Sequence, residues 1–149
     1  MAQMDDIESV NAFLISSFYL GDTLFGLDTF RVQEAIKVID ITTVPHAQEY
    51  VMGVINLRGK IVTILNLARK LGLHSSEITD ESRIIIVSWD DEFVGLLVDQ
   101  VSDVIPADRG DIKPSPSNVK GAQGKYFEGI YHIDQRLIVI LNVDTVLID

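Results

Sequence analysis

The 149-residue chain contains no cysteine, which excludes a disulfide scaffold, a cysteine-based zinc site and thiol catalysis. Aromatic residues make up only 7% of the sequence, and 12 Lys and Arg face 22 Asp and Glu. The resulting net charge of −10 repels phosphate backbones and anionic lipids, which disfavours a nucleic-acid or membrane-surface partner. No apolar run approaches the roughly 18 residues of a membrane span, and the N-terminal residues are acidic where a signal peptide is basic. We therefore expect a cytoplasmic protein without direct membrane insertion.

The apolar content is rich in β-branched residues. The sequence has 19 Ile and 16 Val but only six Phe, four Tyr and one Trp. β-Branched residues favour strands over helices, and 47% hydrophobic residues supply enough material for a sizeable core. The composition therefore predicts a mostly β protein, either one large domain or two very small barrels.

The two halves of the sequence repeat each other. With an offset of 69 residues, Phe25-Gly26-Leu27 matches Val94-Gly95-Leu96. With an offset of 76, the residues from Ile61 to Asn66 match those from Leu137 to Asn142 without a gap. The seven-residue difference predicts a longer loop in the second half, within residues 106–125.

Each copy consists of short apolar runs separated by turn residues, which is typical of β-hairpins. Strands this short with little helical pattern predict two five-stranded SH3-like β-barrels with short helices. We expect an N-terminal tail at residues 1–12, a first barrel at 13–74, a polar connecting segment at 75–82 and a second barrel at 83–149.

The sequence offers no clear catalytic or metal-binding motif. His46, His74 and His132 share no ligand spacing with carboxylates, and no Gly-x-Ser-x-Gly motif is present. The Gly-rich segment 121–126 lacks the Ser or Thr of a phosphate-binding loop, so we interpret it as a flexible loop. We expect a protein that is not an enzyme and has no catalytic residue, no metal and no cofactor.

One hairpin turn differs between the copies. Leu57-Arg58-Gly59-Lys60 is matched in the second copy by Ile133-Asp134-Gln135-Arg136, so folding of the turn does not require Arg-Gly. Gly59 permits a tight turn, and Arg58 at its tip presents a planar group of donors to solvent. Since an exposed ion pair contributes only about 0–1 kcal/mol, recognition explains Arg58 better than stability does. Residues 31–70 also carry a net charge of +3, which either orients a docking partner or merely keeps these strands soluble.

These residues carry a resemblance to a known family. Gly53-Val54-Ile55-Asn56-Leu57-Arg58-Gly59-Lys60, preceded by Arg31-Val32-Gln33-Glu34, resembles the hallmark of the CheW-like chemotaxis coupling proteins. In the second copy, Ile112-Lys113-Pro114 with Pro116 is similar to the corresponding family segment. The resemblance covers residues 13–148 as one CheW-like unit.

The resemblance implies two SH3-like barrels and a non-catalytic adaptor. Such proteins couple the cytoplasmic tips of methyl-accepting chemoreceptors to the regulatory domain of the histidine kinase CheA in signalling arrays at the inner membrane. We also expect a monomer when isolated, and the net charge of −10 predicts no nucleic-acid partner. The residues that the resemblance assigns to receptor binding are Val32, Glu34, Gly53, Arg58 and Gly59. The residues it assigns to kinase or ring contacts are Lys113, Pro114 and Pro116.

Two positions depart from the family pattern. Thr63 stands where the family usually has Pro, and Asn66-Leu67-Ala68 stands where it often has Asp-Leu-Arg. The lost carboxylate and guanidinium leave open a CheW-like paralogue that serves a pathway other than swimming. A small-ligand or nucleic-acid-binding barrel is the alternative from a different class, although it needs an aromatic groove and a basic path.

Overall fold

The computed structural model describes residues 11–148, so most of the predicted tail at 1–12 lies outside the described residues. These described residues form two five-stranded sheets, a small hairpin and two short helices. The strands in chain order are β1 (Ala12–Leu20), β2 (Thr23–Asp28), β3 (Val32–Lys37), β4 (Val51–Leu57), β5 (Lys60–Asn66), β6 (Arg83–Trp89), β7 (Glu92–Val98), β8 (Gln100–Asp108), β9 (Asn118–Val119), β10 (Ala122–Gln123), β11 (Phe127–Ile133) and β12 (Arg136–Leu141). The helices are α1 (Leu67–Leu71) and α2 (Val143–Ile148). This confirms the mostly β fold with short helices.

One sheet has the order β11-β12-β2-β1-β8, and the other has the order β3-β6-β7-β5-β4. In each, the segment that follows one edge strand bonds back to the other edge strand. Lys113 exchanges two backbone hydrogen bonds of 2.8 Å with Ile130 of β11, and Thr42 exchanges bonds of 2.8 and 2.9 Å with Val54 of β4. Each sheet therefore closes into an SH3-like barrel, here named barrel A (β1, β2, β8, β11 and β12) and barrel B (β3 to β7).

The duplication is visible in the backbone. Gly26 on β2 and Gly95 on β7, related by the offset of 69, both lie directly against isoleucine side chains inside their barrels. A Cβ at Gly95 would lie only 2.5 Å from Ile64 Cδ1, and a Cβ at Gly26 would collide with Ile15. Both barrels also contain one parallel pairing, β12 with β2 and β5 with β7, at matching registers.

The predicted division into residues 13–74 and 83–149 needs correction, because the two copies exchange their first hairpins. Barrel A combines β1 and β2 with three strands of the second copy, and barrel B combines β6 and β7 with three strands of the first. The strands β2 and β8 are both antiparallel to β1, so they run in the same direction. In a self-contained first copy, β3 would take the place of β8 beside β1 and would run parallel to β2. Connecting two parallel strands requires a crossover of about a dozen residues. The chain provides only Thr29–Arg31 after β2 and Asp99 after β7, so it continues into the other barrel.

The predicted connecting segment at 75–82 is therefore a loop inside barrel B, between α1 and β6, and does not join the two barrels. The joining segments are Thr29–Arg31 and Asp99. Asp99 is held in place by hydrogen bonds from its own N–H to Tyr19 O (3.1 Å) and from Gly21 N–H to its carboxylate (2.6 Å).

Within the part of the chain that the structure describes, the core consists of three apolar clusters. One fills barrel A around Ile15 and Ile138, and one fills barrel B around Ile64 and Ile84. The largest takes residues from both barrels and both helices, among them Phe18, Phe25, Leu67, Leu96 and Val146. The two barrels thus share a continuous apolar interface, which fixes the relative positions of their surfaces.

The longer loop of the second half contains the β9–β10 hairpin, at the place where the sequence predicts extra residues. Ala122 is fully buried and Tyr126 is 5% exposed. The interpretation of segment 121–126 as a flexible loop is therefore wrong, because buried side chains anchor it. No helix among residues 11–148 has the length and apolarity needed to cross a membrane.

Candidate functional site

The β4–β5 turn presents Arg58 at its tip. Leu57 pairs with Lys60, and the two residues between them have positive φ angles, 51° for Arg58 and 85° for Gly59. Two central residues with positive φ make a type I′ turn, whose twist suits a two-residue hairpin. Gly59 N–H also donates to Asn56 Oδ1 at 2.9 Å. Glycine adopts this conformation freely, but a positive φ is uncommon for arginine.

Arg58 forms an ion pair with Glu34 of β3, so the structure brings these two predicted site residues together. The pair joins Arg58 Nη2 to Glu34 Oε2, and the side chains are 67% and 34% exposed. Among residues 11–148, Glu34 is the one side chain bonded to this guanidinium. The remaining donors of Arg58 face solvent, where they can meet a second protein.

Beside this pair, barrel B is open at one end. A groove of about 210 Å³ has a floor of Leu57, Val62, Ile86 and Phe93 and a rim of Glu34, Arg58 and Lys60, with Gln33 also in its lining. We call this groove the mouth of barrel B. Val62 and Ile86 belong to the apolar cluster inside the barrel, and Leu57 and Phe93 pack on it while remaining partly exposed. Lys60 Nζ lies 5.2 Å from the centre of the Phe93 ring.

Val32 and Gly53 occupy different surroundings. Val32, at the start of β3, is half-buried and packs on the shared core between the barrels. Gly53 is buried near the start of β4, about 16 Å along the strand from the Arg58 turn. Its φ is 146°, and a Cβ there would collide with Thr42 O, so this glycine permits barrel closure. The structure therefore gives Gly53 a position in the wall of barrel B rather than on the exposed surface with Arg58.

Two exposed apolar residues, one of them close to Val32 in the sequence, were missed by sequence reasoning. Phe30 is 87% exposed in the turn before β3, and Val104 is 56% exposed on β8. Val104 pairs with Ser16, whose Oγ lies 2.6 Å from Thr29 Oγ1, so β8 lies near the turn that carries Phe30. Phe30, an aromatic residue in the three-residue connection between β2 and β3, is the sequence feature that could have indicated this surface.

The second group of predicted residues lies on barrel A. The side chains of Lys113, Pro114 and Pro116 are all exposed. Lys113 closes barrel A through its backbone, so its ammonium remains at the surface. The structure thus separates this group from the Arg58 turn, which belongs to the other barrel.

The basic residues of segment 31–70 do not form one patch. Arg31 bonds to Ser88 O and to Asp144 Oδ1, both at 3.0 Å, and Lys70 is buried with its Nζ 4.0 Å from the Tyr50 ring centre. Arg58 and Lys60 line the same cavity, the groove beside the Arg58–Glu34 pair. Among residues 11–148, no three His, Asp or Glu side chains are grouped to hold a metal ion.

A duplicated pair of barrels that presents an exposed, ion-paired arginine beside apolar surface defines a protein-docking module. The family model described as CheW-like domain matches residues 15–149. The chain is 35% identical over 130 residues to the chemotaxis protein CheW of Rhizobium meliloti, covering 87% of this chain and 84% of that protein. It is 34% identical to the CheW of Thermotoga maritima, covering 94% and 91%.

The fold agrees with a solved relative. The crystal structure of the scaffolding protein TtCheW from Thermoanaerobacter tengcongensis matches with a TM-score of 0.82 and 37% identity, over 88% of this chain and 84% of that one. The chain therefore belongs to the CheW-like domain family, and it is a chemotaxis adaptor.

Proposed function

We propose that the chain couples methyl-accepting chemoreceptors to a CheA-type histidine kinase by binding both, without catalysing a reaction itself. It would work beneath the inner membrane, held in receptor arrays through its partners. Family membership supports this role, as does the absence of a catalytic motif in the sequence.

The receptor side of the proposal is barrel B, with Arg58, Glu34 and Val32 as contact residues. The observation that carries it is the Arg58 turn: an arginine with positive φ, two-thirds exposed, with Glu34 as its partner among the described residues. An ion pair this exposed contributes about 0–1 kcal/mol to stability, which is little reason to hold arginine in an uncommon conformation. Gly59 shapes this turn, and Gly53 shapes the barrel that supports it.

The kinase side of the proposal is the exposed surface of Lys113, Pro114 and Pro116 on barrel A. The two surfaces belong to different barrels, so both partners can bind at once. Because the barrels share one apolar core, a partner on one barrel meets a fixed arrangement of the other. Such a scaffold shifts the kinase between states only by binding one of them more tightly.

The experiment measures binding to a purified chemoreceptor tip and to a CheA regulatory domain. Arg58→Glu is expected to weaken receptor binding by about 2 kcal/mol or more while leaving kinase-domain binding unchanged. Arg136→Glu, at the turn of the other copy, makes the same charge change and is expected to leave receptor affinity within about twofold. Full receptor affinity of Arg58→Glu would contradict the assignment.

A further inference from the structure

The mouth of barrel B has an apolar floor beneath a polar and charged rim, and the proposed ion-pair contact does not use that floor. Its volume of about 210 Å³ is smaller than the roughly 300–1,000 Å³ typical of drug-sized ligand sites. The floor is apolar, and two of its residues, Val62 and Ile86, are 1% exposed members of the barrel core. A cavity this small, with an apolar floor under a charged rim, fits one side chain better than a free metabolite.

The rim supplies the complementary charge. Glu34, Arg58 and Lys60 together carry a net charge of +1, and the Arg58–Glu34 pair lies beside the opening. Lys60 stays over the face of Phe93, so its ammonium also lies at the edge of the cavity. A partner that places an apolar side chain here would gain further from a carboxylate next to that side chain.

The matching end of barrel A is built differently. Leu24 takes the place of Phe93 and is 5% exposed, and Ser17 takes the place of Ile86. Ser17 Oγ donates to the backbone O of Asp103 at 2.5 Å, and Asp103 matches Glu34. This hydrogen bond links β1 to β8 in barrel A. At the equivalent position, barrel B has the apolar side chain of Ile86 in the floor of its mouth. The copies therefore differ inside the barrels as well as at the turn.

We propose that the mouth of barrel B receives one apolar side chain from the receptor tip, with a carboxylate of the same tip against Arg58 or Lys60. This inference rests on the proposed function, since it takes the receptor to be the partner of barrel B. The mouth adjoins the Arg58 turn, so one docking event uses both. Binding then depends on the shape of the cavity as well as on charge.

The test uses Leu57→Phe, which fills the mouth with a larger side chain. Its matched control is Ile133→Phe, at the equivalent position of barrel A. Affinity for a purified receptor-tip hairpin is measured by calorimetry, with thermal unfolding of each variant recorded. Leu57→Phe is expected to weaken binding about tenfold and Ile133→Phe less than about twofold.

Arg58→Glu separates failure of this inference from failure of the proposed function. If Arg58→Glu loses binding while folded Leu57→Phe keeps the original affinity, the insertion is wrong and receptor binding stands. If neither variant changes affinity, barrel B is not the receptor surface and both are wrong.

Should Leu57→Phe fail to fold, methyl NMR of the unsubstituted protein provides the readout. Intermolecular nuclear Overhauser effects (NOEs) from receptor protons to the methyl groups of Leu57 and Ile86 would support insertion. Receptor-induced shifts at the Arg58 turn without such NOEs would overturn it.

Discussion

Gly53 and Gly129 occupy the same point of their two barrels, and each lies directly against the backbone carbonyl that closes its barrel. A Cβ at Gly129 would lie 2.5 Å from Lys113 O, and one at Gly53 would collide with Thr42 O. The offset of 76 residues relates the two positions. Close approach of the closing strand therefore explains glycine at both positions without any contact to a partner.

Gly53→Ala is expected to destabilise the protein more than Gly59→Ala. Both residues have positive φ, but a Cβ at Gly59 meets nothing within 4 Å, whereas Gly53 is blocked by backbone. We expect a loss in the free energy of unfolding of about 1–2 kcal/mol for Gly59→Ala and about 3 kcal/mol for Gly53→Ala. Urea unfolding followed by circular dichroism measures both. Equal losses would contradict the barrel-closing role of Gly53.

Asn66 is expected to tolerate aspartate better than alanine. Its Oδ1 caps α1 by accepting from Arg69 N–H at 3.2 Å, and its Nδ2 donates to Ser75 Oγ at 2.9 Å. Asn66→Ala removes the cap and should cost about 1–2 kcal/mol, whereas Asn66→Asp keeps an acceptor for the helix. Thermal unfolding of the two variants gives the comparison. If aspartate destabilised as much as alanine, the amide donor rather than the cap would stabilise this end of α1.

The exchange of hairpins is testable because the chain has no native cysteine. Lys37 of β3 pairs directly with Arg83 of β6, at the Cα separation of neighbouring antiparallel strands. We expect Lys37→Cys with Arg83→Cys to form an intramolecular disulfide on mild oxidation, detected by mass spectrometry.

The control combines Lys37→Cys with Leu14→Cys, because Leu14 would be the neighbour of Lys37 if each copy folded on itself. A disulfide in this control, rather than in the first variant, would show that the copies do not exchange strands.

The Arg58–Glu34 pair is expected to matter little for stability. Arg58→Ala should lower the free energy of unfolding by less than about 1 kcal/mol, since the guanidinium is 67% exposed and screened by water. Arg31→Ala is the contrast, because Arg31 is 25% exposed and also bonds to Ser88 O. We expect Arg31→Ala to lower the free energy of unfolding by about 1–3 kcal/mol. A large loss for Arg58→Ala in urea unfolding would assign Arg58 to folding instead.

The hairpins and the duplication could be predicted from the sequence because turn residues and apolar periodicity are local. The turns at Gly21-Asp22, Arg58-Gly59, Asp90-Asp91 and Asp134-Gln135 all connect paired strands as expected. The exchange of the first hairpins could not be predicted from the sequence similarity between the copies, because equivalent strands of the two copies fit either barrel. The short connections at Thr29–Arg31 and Asp99, considered together with strand direction, exclude self-contained copies.

The candidate site was predictable only in part. The difference between the two hairpin turns pointed to Arg58, and the structure adds Glu34 as its partner from a different strand. The mouth of barrel B escaped prediction because its floor combines Leu57 and Val62 of the first copy with Ile86 and Phe93 of the second. Nothing in the sequence brings these four residues together before the exchange is known.

The most direct test of the account reverses the Arg58–Glu34 pair in Arg58→Glu with Glu34→Arg and measures affinity for the receptor tip. The reversed ion pair can still form within barrel B. If Arg58 served only this internal contact, the double variant would therefore keep the function of Arg58. The account predicts that the double variant folds normally and still fails to bind. Recovery of the original affinity would contradict it.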